Sequence, residues 1–294
     1  MEEKRNMKSS VLILCVNYRN DAETNVFVRA AAGLPSRAAN IVVISNSPAE
    51  ESGELESLNS IEGVQVLFPE KNLGYFGGAA YGLSSYLDTH PLPDWVIVSN
   101  TDITFQDQDF FEKLNEYYAS IPLPAVVAPD IMMTYSGCLT DSPTYQNPYM
   151  RTRPSATKMR GFYFINNYYM MYNFYDFFTK IKHTAINMFF GKGKNESNYQ
   201  QEKPEPIYAP FGAFIIFHRS YFERGGSLDY GCFLYGEEIF VAESTRLLNM
   251  SIIYDPRLKI IHRHHQTTNM IPSKIRTHYA REAVRYLVDT FFSE

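Results

Sequence analysis

Four short stretches hold the residues whose types and spacing could do chemistry. In "SNTDI" (residues 99–103), Asn100 and Asp102 stand two apart on an extended chain, so their side chains share one side and could together face a cation or a diphosphate. Asn, Thr and Asp also favour turns and caps for local reasons. In "FLYGEEIFVAE", Glu237 and Glu238 open a helix after an aromatic run, where carboxylates also complement the helix dipole. "IIHRHHQTT" brings His262, His264 and His265 to the end of an apolar run. Histidines so spaced can share a zinc, although no Asp follows within the motif and no second His cluster completes a site. The fourth stretch, "EKNLGYFGGAAYG" (residues 70–82), crowds glycines behind the apolar run "VQVLFP". Either the backbone there must come close to something large and polar, such as a nucleotide diphosphate, or a strand-to-helix turn leads into a tight helix crossing.

The elements that must position these stretches are legible as alternating patterns. Apolar, β-branched runs predict strands over residues 11–16, 40–45, 64–68, 94–99 and 125–129. Between the first two, Asn20 is placed to cap a helix, Glu23 follows three residues on and Gly33 can end it, giving a βαβ unit. Ligands of such sheets bind beyond the carboxyl ends of the strands. Those ends carry Asn17 and Tyr18, Asn46, residues 72–78, and Asn100 to Asp102. Further on, "APFGAFIIFHRSYF" reads as a strand entering a helix and "EEIFVAESTRLLN" as an amphipathic helix. "IIYDPRLKIIHRHH" reads as two strands around a turn, and "PSKIRTHYAREAVRYLVDTFF" as a closing helix. From residue 151 to about 206 the alternation stops, and the segment is rich in Phe, Tyr, Met and Asn before a basic tail.

Composition sets the outer bounds. With 294 residues, 45% of them hydrophobic, the chain can bury a sizeable core. A net charge of −5 argues against a general nucleic-acid surface, which needs clustered Lys and Arg. Three widely separated cysteines without CxxC spacing suggest neither a disulfide framework nor a zinc knuckle, and fit reduced, cytoplasmic chemistry. The first apolar run is too short for a signal peptide or a membrane span and reads as a first strand.

Taken in order, these motifs resemble glycosyltransferase family 2, the inverting GT-A enzymes, and in particular its rhamnosyltransferase-like members. The resemblance rests on Asn72, Gly74 and Gly78 as a glycine loop, Asn100 and Asp102 at a strand end, and Gly212-Ala213 opening a strand. It continues with Gly226, Leu228 and Asp229, the Glu237-Glu238 pair after an aromatic run, and His262 with Thr267 five residues on. It covers most of residues 10–290 except the aromatic insertion. The chain departs from the family pattern at Ser45, where an Asp is usual, at Asn100 in place of the first Asp of the metal motif, and at Glu238 in place of an Asp.

The resemblance implies an α/β GT-A nucleotide-diphospho-sugar transferase fold, with a mostly parallel central sheet, flanking helices and an aromatic-rich insertion. Residues 9–130 would form the nucleotide-sugar half, residues 131–270 the acceptor half with its insertion at about 151–206, and residues 271–294 a C-terminal helix. The implied reaction moves a hexosyl or deoxyhexosyl group from a nucleotide-diphosphate sugar to a hydroxyl of a glycan or polyprenyl-linked glycan, as in cell-surface polysaccharide synthesis. Asn17, Tyr18, Asn46, Asn72, Gly74, Gly77, Gly78 and Asn100 would bind the donor, and Gly212 and Tyr235 the acceptor. Asp102 and His262 would hold Mg²⁺ or Mn²⁺, Glu238 would be the base and Glu237 its support. The glycines would make room for the donor. Alternatives of other classes are a non-catalytic nucleotide-sugar-binding protein of the same fold and a His-cluster metallohydrolase. The insertion, over residues 161–194, mixes aromatics and Met with Lys180, Lys182, Lys192 and Lys194, which suits contact with a membrane surface or lipid-linked acceptor at the inner face as well as a core or oligomer contact.

Overall fold

The computed structural model describes residues 9–34, 39–48, 51–119, 123–134, 144–167, 203–263 and 273–293. Its opening half follows the alternation read from the sequence. Strand β1 (Val11–Asn17) leads through helix α1 (Asp21–Ala32) to β2 (Ala39–Ser45); a 3-10 helix (Gly53–Ser60) precedes β3 (Val64–Leu67), and α2 (Tyr75–Leu87) leads to β4 (Trp95–Ser99). There follow β5 (Ile103–Phe105), α3 (Phe110–Asn115), β6 (Val126–Thr134), β7 (Thr144–Tyr145) and α4 (Ala156–Asn167). The chain closes with β8 (Glu205–Ile207), β9 (Phe214–His218), α5 (Arg219–Glu223), α6 (Glu237–Leu247), β10 (Ile252–Arg263) and α7 (Ser273–Phe291).

One ten-stranded sheet runs in the order β3-β2-β1-β4-β9-β6-β10-β5, with β7 on β6 and β8 on β10. The expected parallel pairing holds for β3-β2-β1-β4 and for β6 with β10, whereas β9 lies antiparallel between β4 and β6. The sheet is therefore mixed. Because side chains alternate across a strand, β1 sends Leu12 and Leu14 to one face and Val11, Ile13 and Cys15 to the other. The first face is covered by α2, α6 and α7 through Phe76, Ala79, Phe240, Val241, Leu287 and Val288. The second is covered by α1 and α3 through Phe27, Val28, Phe110 and Leu114. Since α1 and α2 cover opposite faces, the sheet is wound both ways from β1, and the crevice beyond the carboxyl ends of β1 and β4 is the switch point where ligands of such sheets sit.

Two local readings are corrected. Residues 252–263 form one strand, not two around a turn: β10 pairs with β6 up to Asp255 and resumes at Lys259, so residues 256–258 bulge out of register. The bulge is tied down by Arg257, whose guanidinium and backbone N–H both donate to the buried Asp255 carboxylate. Asn20 sits at the start of α1 but does not cap it with its side chain. Instead the Asn17 Oδ1 accepts from the Asn20 N–H (3.2 Å) and the Thr24 hydroxyl (3.0 Å), and the Asn20 amide donates to Thr101 Oγ1 (3.0 Å). Within the aromatic insertion, residues 156–167 form α4 and residues 205–207 enter β8; residues 168–202 lie outside the described residues.

Candidate active site

The antiparallel pairing of β5 and β10 sets Ile103 opposite His262, which brings Asp102 beside the imidazole. Asp102 Oδ1 lies 3.2 Å from His262 Nε2, and both side chains are almost wholly buried. The other ring nitrogen, Nδ1, is 2.8 Å from Gln146 Oε1, while the Gln146 amide nitrogen donates to Met133 Sδ at 3.4 Å. With the amide so oriented, its oxygen accepts from the imidazole Nδ1–H, and Nε2 faces the Asp102 carboxylate, a pair of donor atoms that one cation could share. A second partner fixing the far nitrogen is also what a metal-ligating His uses. Among the described residues no group of three or more His, Cys, Asp and Glu side chains could hold a metal by itself. Two protein ligands fit a hard ion that takes its remaining oxygens from a diphosphate and water, which is the habit of Mg²⁺ and Mn²⁺ sites on nucleotides.

From Asp102 the site runs across the start of β9 to the carboxylate pair. The Asn100 N–H donates to Ala213 O at 2.9 Å, so the end of β4 is stitched to the residue after Gly212. Gly212 lies against Glu238: a Cβ on it would stand 2.8 Å from Glu238 Oε1. The Gly212 carbonyl accepts the Tyr75 hydroxyl at 2.9 Å, joining the glycine loop to the same point. Burial pushes the Tyr75 hydroxyl well above its ordinary range, and the charges of Glu237, Glu238 and Asp102 add to that rise. One phenol thus feels both ends of the site.

Glu237 and Glu238 open α6 behind two consecutive left-handed residues, Tyr235 (φ 72°) and Gly236 (φ 85°). The positive φ of a tyrosine is strained backbone, and the Tyr230 hydroxyl, donating to Tyr235 O at 2.8 Å, helps to hold it. The pair divides as a helix requires: Glu237 is 6% exposed and accepts from the Tyr235 N–H, whereas Glu238 is half-buried over Gly212. Both carboxyls are raised above the ordinary glutamate value, chiefly by burial, and Glu237 further by the charge of Glu238.

The glycine loop makes room mainly for the protein itself. Gly74 has φ +76°, and a Cβ there would come within 2.1 Å of the Phe233 carbonyl oxygen. At Gly78 a Cβ would press on Val16 and Asn46, and at Gly82 on Ile44, so these two let α2 settle on β1 and β2. A side chain at Gly74 or Gly78 would thus meet the protein itself, whereas Gly77, half-exposed and with only Leu73 Cβ at 3.4 Å, keeps room to spare. Asn46 braces the loop, donating to Gly74 O (2.8 Å) and accepting from the Leu73 N–H (3.1 Å), and Asn72 accepts from the Gly74 N–H (2.9 Å).

Asn17 is fully buried and engaged with Asp21, Asn20, Thr24 and Ser45. These partners hold it at the end of β1. Ser45 is buried too, its hydroxyl 3.0 Å from that of Ser52. Tyr18 is 39% exposed, with the Arg19 guanidinium over its ring. Beyond β1 and β2 an open cavity of about 640 Å³ is lined by Arg19, Asp21, Ser47, Glu51 and Glu54. His264, His265 and Thr267 lie outside the described residues. Sequence reading missed Tyr75, Gln146 and Phe211, whose ring packs 6.1 Å from that of His262. Tyr75 sits inside the glycine loop and was open to discovery; Gln146 and Phe211 belong to no motif.

No family model and no curated protein matches the sequence. Among solved structures, GalNAc-T7 with UDP, GalNAc and Mn²⁺ superposes with a TM-score of 0.55 at 14% identity, over 89% of this chain and 45% of that one. The mannosyltransferase PcManGT from Pyrobaculum calidifontis, solved with GDP-Man and Mn²⁺, superposes with a TM-score of 0.49 at 9% identity, over 98% of this chain and 72% of that one, a level that carries nothing further. This chain therefore spans less than half the length of GalNAc-T7. What is shared is the fold: a mixed α/β sheet with flanking helices, of the GT-A glycosyltransferase type.

Proposed function

We propose that the protein is an inverting glycosyltransferase that moves a sugar from a nucleotide-diphosphate donor to a hydroxyl of a glycan or lipid-linked glycan. The observation that carries this reading is the convergence of two unlike charged sites on one short backbone stretch. The chain at residues 211–213 meets both: Phe211 packs toward His262, the partner of Asp102, Gly212 lies against the Glu238 carboxylate, and Ala213 accepts from the Asn100 N–H at the end of β4.

In this reading Glu238 accepts the proton of the acceptor hydroxyl as its oxygen attacks the anomeric carbon. The bond from that carbon to the donor phosphate breaks on the opposite side, the nucleoside diphosphate leaves, and one displacement inverts the configuration. Gly212 leaves the space that the base occupies, and Glu237, beside it at the start of α6, is its support. Asp102 and His262, with Asn100 beside them, would hold a divalent cation, which when bound offsets the charge of the leaving diphosphate. Gln146 holds the imidazole so that Nε2 faces inward. Asn17, Tyr18, Asn46, Asn72, Gly74, Gly77, Gly78 and Asn100 are candidates for donor contact, and Tyr235 for acceptor contact.

A panel of UDP-, GDP- and dTDP-sugars with Mn²⁺ tests the reading by nucleoside diphosphate release and by the anomeric proton signals of the product. Neither binding nor turnover of any donor would sink it; binding without turnover would point to the non-catalytic protein of the same fold. Contact of residues 161–194 with a membrane surface belongs to the same proposal. It is supported by Phe164, 55% exposed near the end of α4, while no helix among the described residues is long and apolar enough to cross a membrane. Equal liposome flotation of wild type and a folded variant lacking residues 161–194 would remove that part.

A further inference from the structure

The loop after β7 carries an exposed ring whose backbone is fixed with unusual care. The buried Asn147 donates its amide to Pro129 O (2.8 Å) and accepts the Phe211 N–H (2.7 Å), tying the loop to β6 and to the residue before Gly212. Three residues on, the Met150 N–H donates to Ala209 O (3.2 Å) and the Met150 carbonyl accepts from the Ala209 N–H (3.0 Å). Tyr149 lies between these anchors. Its ring is 44% exposed and packs edge-on against Phe211, centroids 5.9 Å apart, while Phe211 in turn packs toward His262.

This places an exposed aromatic face one residue from the backbone that lies against the Glu238 carboxylate. Its hydroxyl is pushed up to about 12, by burial first and then by the charges of Glu238 and Glu237. An apolar tail would have to lie beside two carboxylates, and an acidic peptide would be repelled by them. A neutral ring with hydroxyls on its edge and C–H groups on its face meets both halves of the side chain.

Building on the glycosyl-transfer reading, we infer that Tyr149, backed by Phe211, is the stacking platform of the acceptor subsite and takes a neutral pyranose ring whose hydroxyl is presented to Glu238. Tyr149 is thus a specificity-determining residue for a glycan acceptor.

The test compares wild type with Tyr149→Ala and Tyr149→Trp, using methyl glycosides of glucose, galactose, mannose and rhamnose as probes. Saturation transfer from the protein to at least one pyranoside is expected for wild type and Tyr149→Trp, and should weaken about three- to tenfold in Tyr149→Ala. Hydrolysis of the donor that turns over, measured without acceptor, is the control that shows the wild-type protein to be active. Equal saturation transfer in wild type and Tyr149→Ala, or none to any pyranoside while donor hydrolysis proceeds, would overturn the subsite and leave the glycosyl-transfer reading standing. A wild type that hydrolyses no donor would overturn both.

Discussion

Glu238 Oε1 lies 2.8 Å from the point at which a Cβ on Gly212 would stand. The atom that would be struck is the far end of a flexible side chain, so Gly212→Ala should fold normally while the carboxylate is pushed aside. Turnover should fall by about tenfold or more, since a misplaced base forfeits much of the 10²–10⁴ that general-base catalysis supplies. Donor Kd should not move. Turnover and isothermal titration of the donor, side by side with Glu238→Gln, check this; a Gly212→Ala variant with wild-type turnover would dissociate Glu238 from the chemistry.

Burial raises both carboxyls of the pair, and this has consequences of opposite sign for activity and stability. A base must be ionised, so kcat should climb with pH through a value above the ordinary glutamate range, and Glu238→Gln should abolish that limb. For stability, a raised folded-state value means the contribution is fully present below the unfolded value and is lost as pH rises through the folded one. Glu237→Gln should therefore melt with wild type at low pH and above it at neutral and alkaline pH. A gain of about 1 kcal/mol would appear as roughly 2–4 °C for a chain of this size. Thermal melts across pH decide it, and a gap that widens toward acid would contradict the assignment.

Gln146 touches no carboxylate of the site, yet it sets which nitrogen of His262 faces Asp102. Gln146→Ala should weaken Mn²⁺ binding by about 10- to 100-fold, as loss of a partner behind a ligand does. Asp102→Ala should remove specific binding. Titration of Mn²⁺ followed by electron paramagnetic resonance, with and without nucleoside diphosphate, reads both without needing the acceptor. Unchanged affinity in Asp102→Ala would move the cation elsewhere.

The glycines of the loop should separate cleanly. Gly74→Ala meets the Phe233 backbone in a left-handed conformation and should cost several kcal/mol or prevent folding. Gly77→Ala meets only an ordinary contact and replaces glycine in a helix, so it should leave Tm unchanged or raise it slightly. If Gly77 borders the donor, Gly77→Ala weakens donor binding at unchanged Tm; no change in either would confine the whole loop to packing.

Local sequence determined most of the elements and the order of the polar stretches. The first four strands, α1, α6 and α7 follow from hydrophobic periodicity, which depends on near neighbours alone. The fold class followed from their alternation. Asp102 and His262 stood out at the ends of apolar runs, where an α/β sheet presents its ligand side, and Glu237 and Glu238 as the opening of a helix after an aromatic run, their expected roles coming from the family resemblance. The distances among them were not legible. Asp102 meets His262 because β5 pairs antiparallel with β10, and β10 reaches that register by bulging at residues 256–258, a feature its sequence reads as a turn between two strands. The antiparallel β9, inserted between β4 and β6, brings Gly212 beneath Glu238. The glycine loop shows the limit from the other side: its composition fits a ligand and a helix crossing equally, and only the Phe233 carbonyl, Val16 and Ile44 distinguish them. Gln146, Tyr149 and Phe211 act through partners far along the chain, so their roles exist only once the sheet has closed, because contact between distant residues is a property of register and packing and not of any local pattern.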